Sequence, residues 1–228
     1  MINTMPNFKK HSPIFLALLF HITGLIGIVF TPYKDWFIYS VPIVLLIMFL
    51  LLSITQLKFF RAYIGFFFIA FTIGMATEII GVNTGLLFGN YQYGQVLGPK
   101  LYGVPLLIGF NWFNIVFCSG SLLTQCIDLI RRKWNVNIIA RTYTMAVVLG
   151  GAAIATCFDI ILEPVAVKLN FWSWENSHIP LYNYICWFMI SAILLGLKMY
   201  LKKTSVNTFA SSLFIIQALF FLLLNYFL

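Results

Sequence analysis

Two carboxyl groups stand four residues apart near the end of a long apolar stretch, in the segment FDIILEPVAVKLNFWSW. On a helix, Asp159 and Glu163 project from the same face, one turn apart. Partial burial, repulsion between like charges and the negative end of the helix dipole all favour the protonated form. We therefore predict that at least one of them keeps a proton near neutral pH. Pro164 is expected to end or kink the helix at this point.

A protonated carboxylic acid in a water-poor, aromatic pocket is suited to protonating an alkene. Aromatic faces and a second carboxylate stabilise the developing carbocation, and water captured at the tertiary carbon completes a hydration. The amides of Asn111 and Asn183 are candidates to hold that water, or to join two helices by a hydrogen bond. The candidate aromatic groups are Tyr91, Tyr93, Trp112, Trp172, Trp174, Tyr184 and Trp187.

The elements that position these residues are membrane-spanning helices. The 228 residues are 61% hydrophobic and 9% charged, with a mean hydropathy of +0.95, which excludes a soluble globular domain. Runs of about 17–25 apolar residues predict helical spans, because a helix satisfies its own backbone hydrogen bonds in lipid. The predicted spans are 13–30, 36–57, 62–82, 104–127, 138–163, 180–201 and 208–227. The fold class is therefore all-α, a polytopic bundle of about seven transmembrane helices forming one domain over 1–228.

The distribution of basic residues predicts the orientation of this bundle. Lys34, Lys100 and Lys168 fall on one side, and the other eleven of the fourteen Lys and Arg residues fall on the opposite side. The positive-inside rule then puts the amino terminus in the cytoplasm and makes the chain a multi-pass protein of the cell membrane. The net charge of +8 follows from these topological clusters, so no nucleic-acid partner is expected.

The unusual polar residues converge at the weakly charged face. The two longest linkers, about 83–103 and 164–179, lie there too. An interfacial belt of Trp and Tyr is the simpler explanation for any one residue, but a belt would occur on both faces. The concentration on one face favours a membrane-embedded pocket that opens outward. The polar residues placed there are Glu78, Asn111, Trp112, Asp159, Glu163, Asn183, Tyr184 and Trp187.

Cofactor chemistry finds little support in the sequence. The four cysteines are single and lie in apolar stretches, and the three histidines have no partner at metal-ligand spacing. No glycine-rich phosphate loop or strand-helix unit for a nucleotide is present. We therefore expect no metal site and no cofactor, and chemistry that needs only a proton and water.

The chain resembles the membrane carotenoid hydratases of the carotenoid biosynthesis protein family. The matching segments are TEIIGVNTGLLFGNYQYG, LGPKLYGVPLLIGFNW, FDIILEPVAVKLNFWSW and IPLYNYICWF, in the family's order and spacing over about residues 70–190. The resemblance implies a cofactor-independent carotenoid 1,2-hydratase, a hydro-lyase acting on the acyclic end of a carotene such as lycopene or γ-carotene. It also implies the lipid bilayer and other carotenoid-pathway enzymes as partners. The family's acidic positions carry over as Glu78, Asp159 and Glu163. We ourselves assign Asp159 or Glu163 as the acid and expect Glu78 to position water or stabilise charge.

Other functions compete with this interpretation. A non-catalytic seven-helix protein that binds or transports a carotenoid or small lipid is one alternative. A retinal photoreceptor is disfavoured because the last span contains no lysine. A carotenoid end-group cyclase shares the initial protonation but closes a ring instead of capturing water, so water access to the pocket separates the two enzymes.

Overall fold

The fold is a bundle of seven long helices, as the apolar runs predict. The computed structural model describes residues 7–56, 60–175, 178–201 and 207–228. Each helix is long and apolar enough to cross a membrane, which confirms the all-α membrane fold. The helices are α1 (Asn7–Phe30), α2 (Lys34–Thr55), α3 (Phe60–Thr84), α4 (Leu107–Trp134), α5 (Ala140–Lys168), α6 (Leu181–Tyr200) and α7 (Thr208–Phe227).

The cytoplasmic amino terminus and the single domain remain predictions. Lys58, Lys202 and Lys203, three of the basic residues behind the orientation, lie outside the described residues. The helical geometry itself still places the α1–α2, α3–α4 and α5–α6 connections at one end of the bundle, because consecutive spans alternate in direction. This end, which also contains Asp159 and Glu163, is called the carboxylate end below.

Pro164 does not end its helix, so that half of the expectation is wrong, and a kink at Pro164 stays a prediction. α5 continues through Pro164 to Lys168, and the final turn is closed by the Leu169 N–H donating to the Val165 carbonyl at 2.9 Å. A proline removes its own N–H donor and crowds the carbonyl of the preceding turn, but the helix is packed against α4, α6 and α7 and continues. Asp159 and Glu163 therefore lie one turn apart on a continuous helix.

Two small antiparallel sheets form in the long α3–α4 and α5–α6 connections, which the sequence indicated only as linkers. β1 (Tyr91–Tyr93) pairs with β4 (Trp172–Trp174), so the two connections are joined to each other at the carboxylate end. β2 (Lys100–Leu101) pairs with β3 (Val104–Pro105). Residues 104 and 105, included in the predicted fourth span, thus belong to a strand, and α4 begins only at Leu107.

Aromatic packing fixes α3 against α4 beneath these sheets. Tyr63 and Phe66 are fully buried on α3, and both contact the rings of Phe113 and Phe117 on α4 at centroid distances of 5.1–6.4 Å. Phe67 also packs against Phe113, at 5.3 Å. Because these rings pack edge to face and in tilted contacts, Tyr63, Phe66 and Phe67 belong to the core and hold α4 in a defined position. Phe68, on the same segment, is 60% exposed.

A close approach of α3 and α4 occurs at Gly74. A Cβ atom built on Gly74 would lie 2.6 Å from Cγ and 2.7 Å from Cβ of Trp112. These atoms are at the root of the indole side chain, so the ring cannot swing aside without moving its own backbone. Gly74 therefore determines where the Trp112 indole sits, and a larger residue would move it.

We expect Gly74→Ala to lower the thermal unfolding midpoint of the purified protein by several degrees. Overpacking of a filled core costs about 1–3 kcal/mol, and this loss exceeds the gain of up to about 1 kcal/mol in helix propensity. Gly65→Ala is the matched control on the same helix, because a Cβ there meets no atom within 4 Å. Equal midpoints for the two variants would contradict the close packing of Trp112 on α3.

Candidate functional site

A small polar cavity lies at the carboxylate end, beneath the β1–β4 sheet. Its volume is about 20 Å³. A cavity needs roughly 10–15 Å³ to hold a single water molecule, so this one has room for about one. We call it the carboxylate cavity. It is lined by Glu78, Phe88, Tyr91, Tyr93, Ile108, Asn111, Trp112, Asp159, Leu162, Glu163, Trp172, Trp174, Asn183 and Trp187.

Glu78, on α3, is buried and accepts three hydrogen bonds. The phenol groups of Tyr91 and Tyr93 donate to its Oε2 at 2.5 and 2.7 Å, and the Trp112 indole N–H donates to its Oε1 at 2.8 Å. The two oxygens are thus supplied with donors from two different elements, β1 and α4. Such an arrangement suits a carboxylate that holds negative charge in a dry site.

Glu163, on α5, accepts hydrogen bonds in the same way from side chains of β4, the other strand of the sheet. The indole N–H groups of Trp172 and Trp174 both donate to its Oε2, at 2.9 and 2.8 Å. The Asn183 amide donates to its Oε1 at the longer distance of 3.4 Å. Only 2% of Glu163 is exposed, so these donors replace the water that would otherwise solvate it.

Asp159, one turn earlier on α5, has much poorer support. It is 1% exposed, and its one hydrogen bond within the described ranges is from the Asn183 amide to Oδ2, at 2.8 Å. Asn183 thus bridges Asp159 and Glu163 and joins α5 to α6, which is one of the two roles considered for it. Of the three buried carboxyl groups, Asp159 receives the fewest donors.

The β1–β4 sheet explains how four aromatic rings reach two carboxylates. In the antiparallel register Tyr91 faces Trp174 and Tyr93 faces Trp172. Side chains alternate along a strand, so all four rings project from one face of the sheet. The intervening Gln92 and Ser173 project from the other face and are exposed. The spacings YQY and WSW therefore build a lid of rings over the helix ends.

The two tyrosines of β1 remain neutral donors. Burial raises the pKa of Tyr91 and of Tyr93, and the negative charge of Glu78 raises both further. The phenols accordingly keep their protons throughout the physiological range and donate hydrogen bonds to Glu78. In this structure they hold a carboxylate in place.

Two stacked indoles form part of the cavity wall. Trp112 and Trp187 lie parallel, with ring centroids 3.9 Å apart and an interplanar angle of 14°. Both are buried, so they present flat π surfaces in a water-poor space. The faces that they turn toward each other are covered by this stacking, and both residues line the cavity.

Asn111 and Tyr184 were both predicted for the pocket, but only Asn111 lines the cavity. The Asn111 side chain lines the cavity and has no hydrogen-bond partner within the described residues, so its amide is available to a bound molecule. Tyr184 is half-buried on α6 and is not among the lining residues. Every other residue that the sequence placed in the pocket lines the cavity.

The lining residues that the sequence analysis missed are Phe88, Ile108 and Leu162. Phe88 has a left-handed backbone, with φ of +65°, and is 2% exposed. Such a conformation is costly for a bulky residue and is found where the surroundings impose it. Here the Phe88 N–H donates to Sγ of Cys186 at 3.5 Å, and its ring packs against Trp112. The flanking glycines of GLLFGN indicated a turn, but nothing indicated that the phenylalanine points inward.

Within the described residues, five of the six carboxyl oxygens of the site accept hydrogen bonds from tryptophan, tyrosine or asparagine side chains. Within the described ranges, no three His, Cys, Asp or Glu side chains are grouped so that they could hold a metal ion. His21 lies elsewhere in the bundle, with its Nδ1 2.7 Å from the Ala17 carbonyl oxygen. The absence of a cofactor stays a prediction.

Comparison with known proteins gives this site a context. The chain is 28% identical over 120 residues to bisanhydrobacterioruberin hydratase of Haloarcula japonica. That alignment covers 51% of this chain and 38% of the relative, so the chain matches well under half of the relative's length. No solved structure matches the chain. The family model described as carotenoid biosynthesis protein matches residues 38–228, which is most of the chain and contains every residue of the site. The chain therefore belongs to the carotenoid biosynthesis protein family.

Proposed function

We propose that this protein is a carotenoid hydratase of the cell membrane. It adds water to the terminal 1,2 double bond of an acyclic carotenoid end group and leaves a tertiary alcohol. The family membership and the likeness to a hydratase support a reaction of this class. The enclosed carboxyl groups, the aromatic walls and the water-sized space support the chemistry.

The observation that carries the proposal is the unequal support of three buried carboxyl groups. Glu78 and Glu163 each accept three hydrogen bonds, whereas Asp159 accepts one. Donors stabilise a charged carboxylate, and a carboxyl group with few donors in a dry site is better suited to keep its proton. We accordingly assign Asp159 as the general acid.

The proposed reaction begins with proton transfer from Asp159. The O–H bond of the acid breaks, a C–H bond forms at C2 of the substrate, and the π electrons of the double bond are consumed in forming it. Positive charge then develops at C1, the tertiary carbon. Water attacks C1 with a lone pair and forms the C–O bond, and its extra proton passes to a carboxylate. The product contains the atoms of the carotene and of one water.

Glu163 is the group that we assign to that second proton transfer. It lies one turn from Asp159, and Asn183 contacts both carboxyl groups. The indole donors of Trp172 and Trp174 hold Oε2, which leaves Oε1 with only the longer Asn183 contact. Oε1 is therefore the less occupied oxygen for accepting a proton, which returns to Asp159 before the next cycle.

The carbocation needs stabilisation until water reaches it. The stacked indoles of Trp112 and Trp187 and the rings of the β1–β4 sheet supply π faces, and the buried charge of Glu78 supplies an opposite charge. The free amide of Asn111 is placed to orient the attacking water, which is the other role considered for the asparagines. In a cyclase another double bond of the substrate would capture the cation in place of water, so access of water to C1 separates the two reactions.

The proposal is tested by expressing the chain in a bacterium that accumulates lycopene and analysing its carotenoids by chromatography and mass spectrometry. We expect a new product heavier than lycopene by one water. A product of unchanged mass with a ring at its end would show a cyclase instead. Unchanged lycopene and unchanged γ-carotene, with the folded protein present in the membrane, would favour the binding or transport alternative.

A further inference from the structure

A second cavity, much larger and largely apolar, lies between α1, α2 and α7. Its volume is about 480 Å³, and its walls include Phe20, Gly24, Phe37, Val44 and Phe220. Protein interiors are close-packed, so a void of this size is the size of a ligand pocket rather than a packing defect. We call it the lipid cavity.

A third, smaller cavity of about 50 Å³ lies between the lipid cavity and the carboxylate cavity, and we call it the connecting cavity. This connecting cavity shares lining residues with both of its neighbours. Ile108, Asn111, Leu162 and Trp172 line the connecting and the carboxylate cavities. Val41, Leu45, Phe171, Gln217 and Phe221 line the connecting and the lipid cavities. Only shared side chains therefore separate the three spaces.

The lipid cavity also reaches the outer surface of the bundle. Two of its lining residues on α2, Trp36 and Ile43, are 66% and 62% exposed. Along α1 the lining extends from Phe20 to Ile28, about 12 Å at 1.5 Å per residue. An elongated apolar molecule in the bilayer has a lateral entrance here, with no charged side chain among the lining residues.

One polar side chain stands at the junction. Gln217, in the middle of α7, is 6% exposed and lines both the lipid and the connecting cavities. Its side-chain amide, between two largely apolar cavities, is suited to contact a hydroxyl group or the π electrons of a bound molecule.

We propose that the lipid cavity binds the polyene tail of the carotenoid while the end group extends through the connecting cavity to the carboxylates. This inference rests on the proposed function and adds the substrate path to it. The tail enters laterally from the bilayer past Trp36 and Ile43. Val41 and Gln217, which line both the lipid and the connecting cavities, form a neck that orients the terminal double bond. Nothing in the apolar runs of α1 and α2 indicated that the tail would lie there.

Val41→Trp tests the path, because a larger ring at Val41 fills the neck. Leu50→Trp is the control on the same helix: Leu50 is 56% exposed and lines none of the three cavities. Each protein is purified in detergent from cells that accumulate lycopene. Bound carotenoid per protein is measured by visible absorption, and hydrated product is measured separately. We expect Val41→Trp to lose roughly tenfold or more of both, and Leu50→Trp to keep both.

Gly24→Leu provides a second obstruction in case Val41→Trp does not fold. A Cβ at Gly24 makes only ordinary contact with Phe220, at 3.7 Å, so the added side chain extends into the cavity. Normal carotenoid binding by both folded variants would overturn the path while leaving the hydratase proposal intact. Bound carotenoid in the wild type, lost in Val41→Trp, with no hydration by any protein would support the path and refute the hydratase.

Discussion

Asp159→Asn is expected to reduce hydration by about three orders of magnitude. General acid catalysis contributes typically 10²–10⁴-fold, and an amide in this position has no proton to give to an alkene. The variant keeps an oxygen that can accept the Asn183 hydrogen bond, so the α5–α6 contact survives. The measurement is hydrated product formed per amount of protein in isolated membranes supplied with lycopene.

Asp128→Asn is the matched control for this substitution. The substitution at Asp128 removes the same charge, but Asp128 lies near the carboxyl end of α4, where it pairs with Arg131 at 3.9 Å. Asp128 lines none of the three neighbouring cavities. We therefore expect the Asp128→Asn protein to be as active as the wild type. Substantial hydration by a folded Asp159→Asn protein would show that Asp159 is not the general acid and would assign that role to Glu163.

The sequence predicts the helices of this protein far better than it predicts the lid. Seven apolar runs are sufficient to define seven spans, because length and hydropathy alone decide whether a helix can cross lipid. The pairing of Tyr91–Tyr93 with Trp172–Trp174 joins segments about eighty residues apart, and three-residue strands have too little local pattern to reveal it. Only the alternation in YQY and WSW was present in the sequence.

The polar residues that form the site could be predicted because polar groups are rare in membrane spans. Asp159, Glu163 and Asn183 stand out against apolar neighbours, and depth along each helix brought them together. Their different roles were not predictable, because the number of donors to each carboxyl group depends on the lid and on tertiary packing. Apolar lining residues such as Ile108 and Leu162 resemble any other membrane residue, and the lipid cavity depends entirely on how α1, α2 and α7 pack.

Glu163→Gln is expected to lower hydration about 10²–10³-fold, for a different reason from Asp159→Asn. The glutamine oxygen can still accept from Trp172 and Trp174, but the amide neither accepts the proton of water nor supplies negative charge beside the cation. Glu175→Gln is the control, since Glu175 is exposed, follows β4 and retains an oxygen for its bond with Asn90. We expect Glu175→Gln to keep wild-type activity.

Deuterium exchange separates the two carboxyl roles. In membranes suspended in D₂O, Asp159 of the Glu163→Gln protein can still protonate the alkene, and its carboxylate can take a proton back. Recovered lycopene should therefore gain deuterium in Glu163→Gln but not in Asp159→Asn, although both form little alcohol. The reverse pattern would assign the acid to Glu163, and its two indole donors would then hold a protonated carboxyl group. Both substitutions replace a carboxyl group by an amide and leave the neighbouring side chains unchanged. A difference in deuterium content between the two therefore shows which carboxyl group gives its proton to the alkene.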